Sequence, residues 1–177
     1  MQIFRLKIID STNNYAFDLL EKNQQPTPFI VIAEKQTAGR GKFDRRWYSP
    51  ADKNLYLSIA FKPKQTPEDF SNFSTKFAGL VVDGLADMFH VKFTLKYPND
   101  IYFNGKKLAG VLTETKVLNN KILVAVSGIG INVNADISNY PSDIKDIATG
   151  LGAILKHQPD LASIEKLVID AASSLIS

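Results

Sequence analysis

The chain has 177 residues, 45% of them apolar and 22% charged, which suits one self-sufficient core in a globular domain. It contains no cysteine, so disulfides, thiolate metal sites and cysteine nucleophiles are excluded. No apolar run approaches the ~20 residues that span a bilayer, and Met1 leads straight into Ile3-Phe4-Arg5-Leu6 rather than a basic-then-apolar leader. A cytoplasmic enzyme or binding domain is expected.

Net charge is +3 with a pI near 9.0, a figure that surface lysines alone can produce. The distribution is more informative. Lys35, Arg40, Lys42, Arg45, Arg46 and Lys53 crowd one stretch against only Asp44 and Asp52, which suggests a site for phosphate or carboxylate.

In chain order, Ile3 to Ile9 reads as a strand. Asp10-Ser11-Thr12-Asn13 then opens a helix with Ala16, Leu19 and Leu20 on one face. Gln24 to Pro28 is a turn-rich break. Phe29 to Ala33 is a short apolar strand of the buried kind. Gln36 to Asn54 has no apolar periodicity, and long irregular segments in compact domains tend to be functional. Leu55 to Phe61 returns to strand character. Pro67 to Phe89 reads as one helix with Phe70, Phe73, Phe77, Leu80, Val81 and Met88 on its core stripe. Strands are expected at Val91 to Leu95 and Ile101 to Phe103, with Asn104-Gly105 turning a hairpin. Leu108 to Val117 and Lys121 to Val133 pair across Leu118-Asn119-Asn120. After a loop near Pro141, a last helix from about Asp160 turns Leu161, Ile164, Val168, Ala171 and Leu175 inward. The elements make one α+β domain, with antiparallel hairpins and helices against a sheet.

Five segments carry chemistry. In Gln36-Thr37-Ala38-Gly39-Arg40-Gly41-Lys42-Phe43-Asp44-Arg45-Arg46-Trp47, glycines flank an arginine, so backbone can approach a ligand while the guanidinium forks onto an oxyanion. Trp47 offers a flat face. The segment also fits a basic surface loop, and without a Gly-Lys-Ser/Thr ending it is not a phosphate loop of the Walker type. Lys96-Tyr97-Pro98-Asn99-Asp100 puts Asn99 and Asp100 at a strand end, although a plain Pro-Asn-Asp turn reads the same way. Lys106-Lys107-Leu108-Ala109-Gly110-Val111-Leu112-Thr113-Glu114 could simply solvate a hairpin. In Gly128-Ile129-Gly130-Ile131-Asn132-Val133, alternation places the glycines and Asn132 on one sheet face. Two glycines there suggest a flat ligand lying over them with Asn132 bonded to it, or else a bulge. Ser11-Thr12-Asn13 fits either a helix cap or a grip on a polar ligand.

Together and in this order, the five segments closely resemble the catalytic domain of the biotin–protein ligases. That family shows Ser-Thr-Asn, then Gln-x-x-Gly-Arg-Gly-Arg-x-x-Arg-x-Trp, Lys-Trp-Pro-Asn-Asp, Lys-Leu-Ala-Gly-(Ile/Val)-Leu-x-Glu and Gly-Ile-Gly-(Ile/Leu)-Asn. The match runs from Ser11 to Asn132. The resemblance implies an α+β fold with a mixed, largely antiparallel sheet flanked by helices, related to class II aminoacyl-tRNA synthetases. It implies that Ser11, Thr12 and Gln36 bond the ureido ring of biotin, with backbone from Gly39. Arg40 and Lys107 would be the catalytic cations at the biotin carboxylate and adenylate phosphate, with Gly110 beside the acyl chain. Trp47 would stack on adenine, with Lys42, Arg45, Asn99, Asp100 and Asn132 serving the nucleotide and magnesium near Asp100. Lys42 stands where the family has arginine, and Tyr97 where it has tryptophan.

The implied partners are biotin, ATP with magnesium, and a biotin carboxyl carrier domain of acetyl-CoA carboxylase or a related carboxylase. No DNA or membrane is expected, and a homodimer is left open. With ten residues before Ser11, and a loop and one helix after Asn132, residues 1–177 are expected to form a single catalytic domain. Neither an N-terminal DNA-binding domain nor a C-terminal small β-domain is expected. The implied reaction is ATP-dependent ligation of biotin to a carrier lysine through biotinyl-5′-AMP. A lipoate–protein ligase is the near rival, and a basic nucleic-acid-binding module using Arg45, Arg46 and Trp47 is the rival from another class. His90 and His157 stand alone in sequence and suggest no metal or triad. No residue stands out as the general base for the incoming lysine, Asp100 being only a candidate.

Overall fold

The computed structural model describes residues 1–22, 25–51 and 53–176, without the Asp44 side chain; Gln24 and Asp52 therefore lie outside the described residues. Seven strands form one mixed sheet: β1 (Gln2–Ile9), β2 (Phe29–Gln36), β3 (Leu55–Phe61), β4 (Thr94–Lys96), β5 (Asp100–Phe103), β6 (Lys106–Leu118) and β7 (Lys121–Ile131). Their spatial order is β1-β2-β3-β7-β6-β5-β4. Only β1 and β2 run parallel, and every other neighbouring pair is antiparallel. The expected mixed, largely antiparallel sheet with flanking helices is what forms.

The helices are α1 (Thr12–Glu21), α2 (Pro67–Phe70), α3 (Phe73–Phe89), α4 (Ser142–Lys145), α5 (Leu151–Leu155) and α6 (Leu161–Ile176). Alternation along the strands divides the sheet into two faces. Ile30, Leu57, Ile59, Val111, Ile129 and Ile131 share a core with Phe73, Phe77, Val81 and Leu85 of α3 and Ile164, Val168 and Ala172 of α6. On the opposite face α1 places Ala16 and Leu19 against Phe29, Val31, Ala60 and Val126. This second core is small. It covers only part of its face and leaves Gly110, Gly128 and Gly130 bordering an open region.

Several boundaries differ from the sequence reading. The helix expected over 67–89 breaks at Ser71-Asn72 into α2 and α3. Its buried ridge steps by four residues through Phe73, Phe77, Val81 and Leu85, while Leu80 at the edge of that ridge and Met88 in the last turn are each 38% exposed. In α6 the same four-residue step buries Ile164, Val168 and Ala172, while Leu161, Ala171 and Leu175 pack partly buried against the same core. The strand expected at 91–95 is reduced to β4, although Phe93 is still buried. Asn104-Gly105 turns as expected, both residues having positive φ. The β6–β7 turn holds two residues, Asn119 and Asn120, because Leu118 already pairs with Lys121. After Asn132 the chain forms α4, α5 and α6 and a 3-10 turn at Ile137–Asn139, more than the single helix expected.

The start of α6 is fixed by Asp160, which accepts hydrogen bonds from the Ser163 hydroxyl at 2.7 Å and from the amides of Ser163 and Ala162. Those bonds, the hydroxyl's first, hold the exposed carboxyl below its ordinary pKa. Arg5 of β1 forks onto both oxygens of Glu165, tying the edge strand to α6.

Helices α3 and α6 approach closely at Gly84, where an added Cβ would lie 3.0 Å from Cγ and Cδ1 of Leu167. Gly79, on the same helix, has nothing within 4 Å of that position. Gly84→Val is therefore expected to overpack the joint and cost about 1–3 kcal/mol. Gly79→Ala should instead stabilise by about 0.5–1 kcal/mol through helix propensity. Chemical denaturation of both variants checks the opposite signs.

Candidate functional site

The uncovered part of the second sheet face is a cleft of about 460 Å³. Residues from all five segments singled out in the sequence line it. Ser11 and Thr12 come from the start of α1, and Gln36 from the end of β2. Arg40, Lys42, Arg45 and Trp47 come from the following loop. Asn99 and Asp100 lie at the start of β5, Lys107 and Gly110 on β6, and Asn132 just beyond β7. Gly39 is the one expected site residue outside the lining. Its role is to let strands of the loop meet: a Cβ there would sit 2.5 Å from the Trp47 carbonyl and 2.6 Å from Ser49 Oγ.

The loop is a small hairpin rather than an irregular segment. The Trp47 amide donates to the Gly39 carbonyl and the Gly41 amide to Arg45, while Phe43 sits at the tip with φ 57° and 87% of its surface exposed. The hairpin base is sealed by Gln36, whose side-chain amide donates to Ser49 at 2.8 Å.

Ser11-Thr12-Asn13 does not act as a side-chain cap. Ser11 occupies the N-cap position of α1 without a side-chain capping bond. Gln36 Oε1 accepts from the Thr12 amide at 2.8 Å and from its hydroxyl at 3.1 Å. The Ser58 hydroxyl lies 2.7 Å from Thr12 Oγ1 and 2.6 Å from Asn13 Oδ1. All three residues are at least 95% buried, and the side chains of Thr12 and Asn13 are held by Gln36, Ser58 and Glu114 in one polar network.

The β7 glycines contain no bulge; the β6–β7 register shifts only at Lys116/Val117. They provide room, as expected, but protein side chains use it. A Cβ on Gly128 would meet Asn13 Oδ1 at 2.3 Å, and one on Gly130 would meet Trp47 Nε1 at 2.4 Å. The Trp47 indole lies on Gly130, and its N–H is buried without an acceptor among the described residues. Asn132 is engaged by the protein too, donating to the Thr149 carbonyl and accepting from the Tyr140 hydroxyl. Asn99 donates its side-chain amide to the Val111 carbonyl, tying the Pro98 turn to β6.

Two cations of the cleft are held in ion pairs, and a third, Arg46, donates to the Thr37 carbonyl at 3.1 Å. Arg40 Nη2 lies 2.6 Å from Glu114 Oε2, and Lys107 Nζ lies 2.8 Å from Asp100 Oδ2 and over the Trp47 ring. Lys42 and Arg45, which also line the cleft, form no ion pair among the described residues. Among those residues no group of three metal-ligating side chains occurs, and Asp100 is the one acidic residue lining the cleft.

Several functional neighbours escaped the sequence reading. Asn13 and Glu114 lie within recognised segments, yet their mutual bond at 2.8 Å joins residues 101 positions apart. Tyr48 and Tyr140 meet edge-to-face at 4.7 Å beside the cleft, and Ile144, Ile147 and Ala148 close its far wall. This wall is held by main-chain bonds between Lys107 and residues Ile147 and Thr149, which no local pattern signals. No helix of the described residues is long and apolar enough to cross a membrane.

The comparisons with known proteins agree with this arrangement. The profile described as "Biotin/lipoate A/B protein ligase family" matches residues 6–132. The bifunctional ligase/repressor BirA of Bacillus subtilis is 34% identical over 157 residues, covering 89% of this chain and 48% of its own length. The biotin–[acetyl-CoA-carboxylase] ligase of Mycobacterium tuberculosis is 31% identical, covering 83% of this chain and 54% of its own. The chain thus spans about half the length of these curated relatives. Among solved structures, a biotin protein ligase from Aquifex aeolicus in complex with biotin and ATP superposes with a TM-score of 0.79 at 32% identity, over 99% of this chain and 70% of that one. Fold, motif order and the convergence of those motifs on one cleft lead to one assignment: the chain belongs to the biotin/lipoate A/B protein ligase family.

Proposed function

We propose that the chain is the catalytic part of an ATP-dependent biotin–protein ligase, joining biotin to a lysine of a carboxyl carrier domain. The observation that carries this reading is the layout of the cleft. Thr12 and Gln36, bonded to each other and backed by buried Ser58, line the same cleft as Arg40, Lys107, Lys42 and Arg45. An acid with a compact polar ring, an apolar chain and a carboxylate matches that set of surfaces. The likeness to a ligase solved with biotin and ATP supports the same choice.

A carboxylate and a lysine do not condense at neutral pH, because the oxygen leaves badly and the amine is protonated near pKa ~10.4. In the proposed reaction a biotin carboxylate oxygen attacks the α-phosphorus of ATP, the bond to the bridging oxygen breaks, and pyrophosphate leaves. The carrier amine, once deprotonated, attacks the acyl carbon of biotinyl-5′-AMP, and AMP leaves. Ser11, Thr12 and Gln36 hold the ring, and Gly110 leaves room for the chain. Arg40 and Lys107 meet the negative charge that builds between carboxylate and phosphate, the kind of stabilisation such transfers chiefly need. Lys42 and Arg45 face the nucleotide phosphates, and Trp47 offers its ring to the base. Magnesium bound to ATP near Asp100 would supply further charge neutralisation. Asp100 is the candidate acceptor of the lysine proton, although its tie to Lys107 must then loosen.

If the polar network reads a ureido ring, biotin with ATP should raise the melting temperature well above the shift produced by lipoate with ATP. Equal shifts would refute the choice of acid. Arg40→Ala removes a charged partner of two oxyanions, an interaction of about 1.5–3 kcal/mol, and should slow biotin-dependent pyrophosphate release by about tenfold or more. An unchanged rate would reduce the hairpin to surface. Lys42 offers one flexible ammonium where arginine would offer a planar fork. Lys42→Arg is therefore expected to slow escape of preformed biotinyl-5′-AMP in filter binding and to lessen untargeted biotinylation of albumin. Identical off-rates for the two proteins would mean Arg45 or Arg46 already closes over the phosphate.

A further inference from the structure

Arg40 stands between two glycines at the base of an exposed hairpin, and its side chain is 39% exposed. Neighbouring side chains on its own strand therefore do little to restrict it. A long side chain free to rotate loses entropy when it grips a ligand, unless something holds it beforehand. Among the described residues the one polar partner of its guanidinium is Glu114, at 2.6 Å through Nη2. That contact uses one edge of the planar group and leaves Nε and Nη1 for an oxyanion.

Glu114 is itself held. Its Oε2 accepts a second bond, at 2.8 Å, from Asn13 Nδ2. Asn13 is 97% buried, sits against Gly128, and has its Oδ1 2.6 Å from the Ser58 hydroxyl of the central strand β3. A chain of contacts thus runs from the sheet through Asn13 and Glu114 to the loop arginine. We propose that Glu114 is a positioning residue, which aims Arg40 at the reacting carboxylate and phosphate before substrate arrives. The proposal rests on the ligase reading for the identity of those oxyanions. Glu114 touches no substrate in this role and acts through Arg40.

Two other roles fit a carboxylate at this place and give different results. As a mere brace for Asn13 and the start of α1, Glu114 would matter regardless of what occupies position 40. As an internal competitor for the guanidinium, it would weaken substrate binding, and its loss would help.

The test compares wild type, Glu114→Gln, Glu114→Ala, Arg40→Ala and the Arg40→Ala/Glu114→Ala double variant in biotin-dependent pyrophosphate release. Positioning predicts that either Glu114 change lowers kcat by about tenfold with Arg40 present, yet by less than about twofold in the Arg40→Ala background. Equal losses in both backgrounds would assign Glu114 to bracing, and a gain in rate or tighter biotin binding would assign it to competition. Either result overturns the proposal. A second readout needs no substrate. Nitrogen-15 relaxation of the Arg40 Nε–H should show a less ordered guanidinium in both Glu114 variants, and unchanged order would also overturn the claim. Wild-type protein inactive with biotin would sink the ligase reading alone, since the relaxation result still decides whether Glu114 fixes Arg40. Melting temperatures of the variants separate any unfolding of Glu114→Ala from these effects, with Glu114→Gln retaining the side chain's volume.

Discussion

The cleft depends on two positions of β7 that carry no side chain on one face. A central strand buried on both sides ordinarily fills that face with apolar groups, and β7 does so at Val126 under α1. At Gly128 and Gly130 it does not, and Asn13 and Trp47 come closer to the strand than any Cβ would allow. The polar start of α1 and the basic hairpin can thus both lie on the sheet. The opposite face needs no such exception. Ile129 and Ile131 lock it into the main core with α3 and α6, so the floor of the cleft is backed by close-packed apolar side chains.

Around that floor, charge is arranged for function more than for stability. The pairs Arg40–Glu114 and Lys107–Asp100 join partly exposed groups, and such pairs add little to folding. Their effect is to hold two cations in place. Each pair also cancels its own charge, so among the described residues the net positive charge lining the cleft comes from Lys42, Arg45 and Arg46, which form no ion pair there. A ligand with several negative groups fits that distribution better than a simple carboxylate.

The sequence by itself determined the strands that are buried on both faces. Phe29 to Ala33 is a continuous apolar run, and Leu55 to Phe61 is apolar apart from Ser58, so both must leave water. It also determined the Asn104-Gly105 turn and the residues gathered at the cleft, because glycines, prolines and clustered cations report local constraints directly. Boundaries set by packing were less legible. Leu80 and Met88 belong to the apolar stripe of the helix yet are each 38% exposed, and the break at Ser71-Asn72 has no proline or glycine to mark it. Tertiary structure alone decided what the polar residues do. Ser11-Thr12-Asn13 reads as a helix cap until Gln36, Ser58 and Glu114 arrive from elsewhere in the chain to take those side chains. Glu114 looks like one more solvated strand residue until the fold sets it against Arg40, 74 positions away. A hydrogen bond is short and directional, and residues that far apart meet only once the sheet has brought them together.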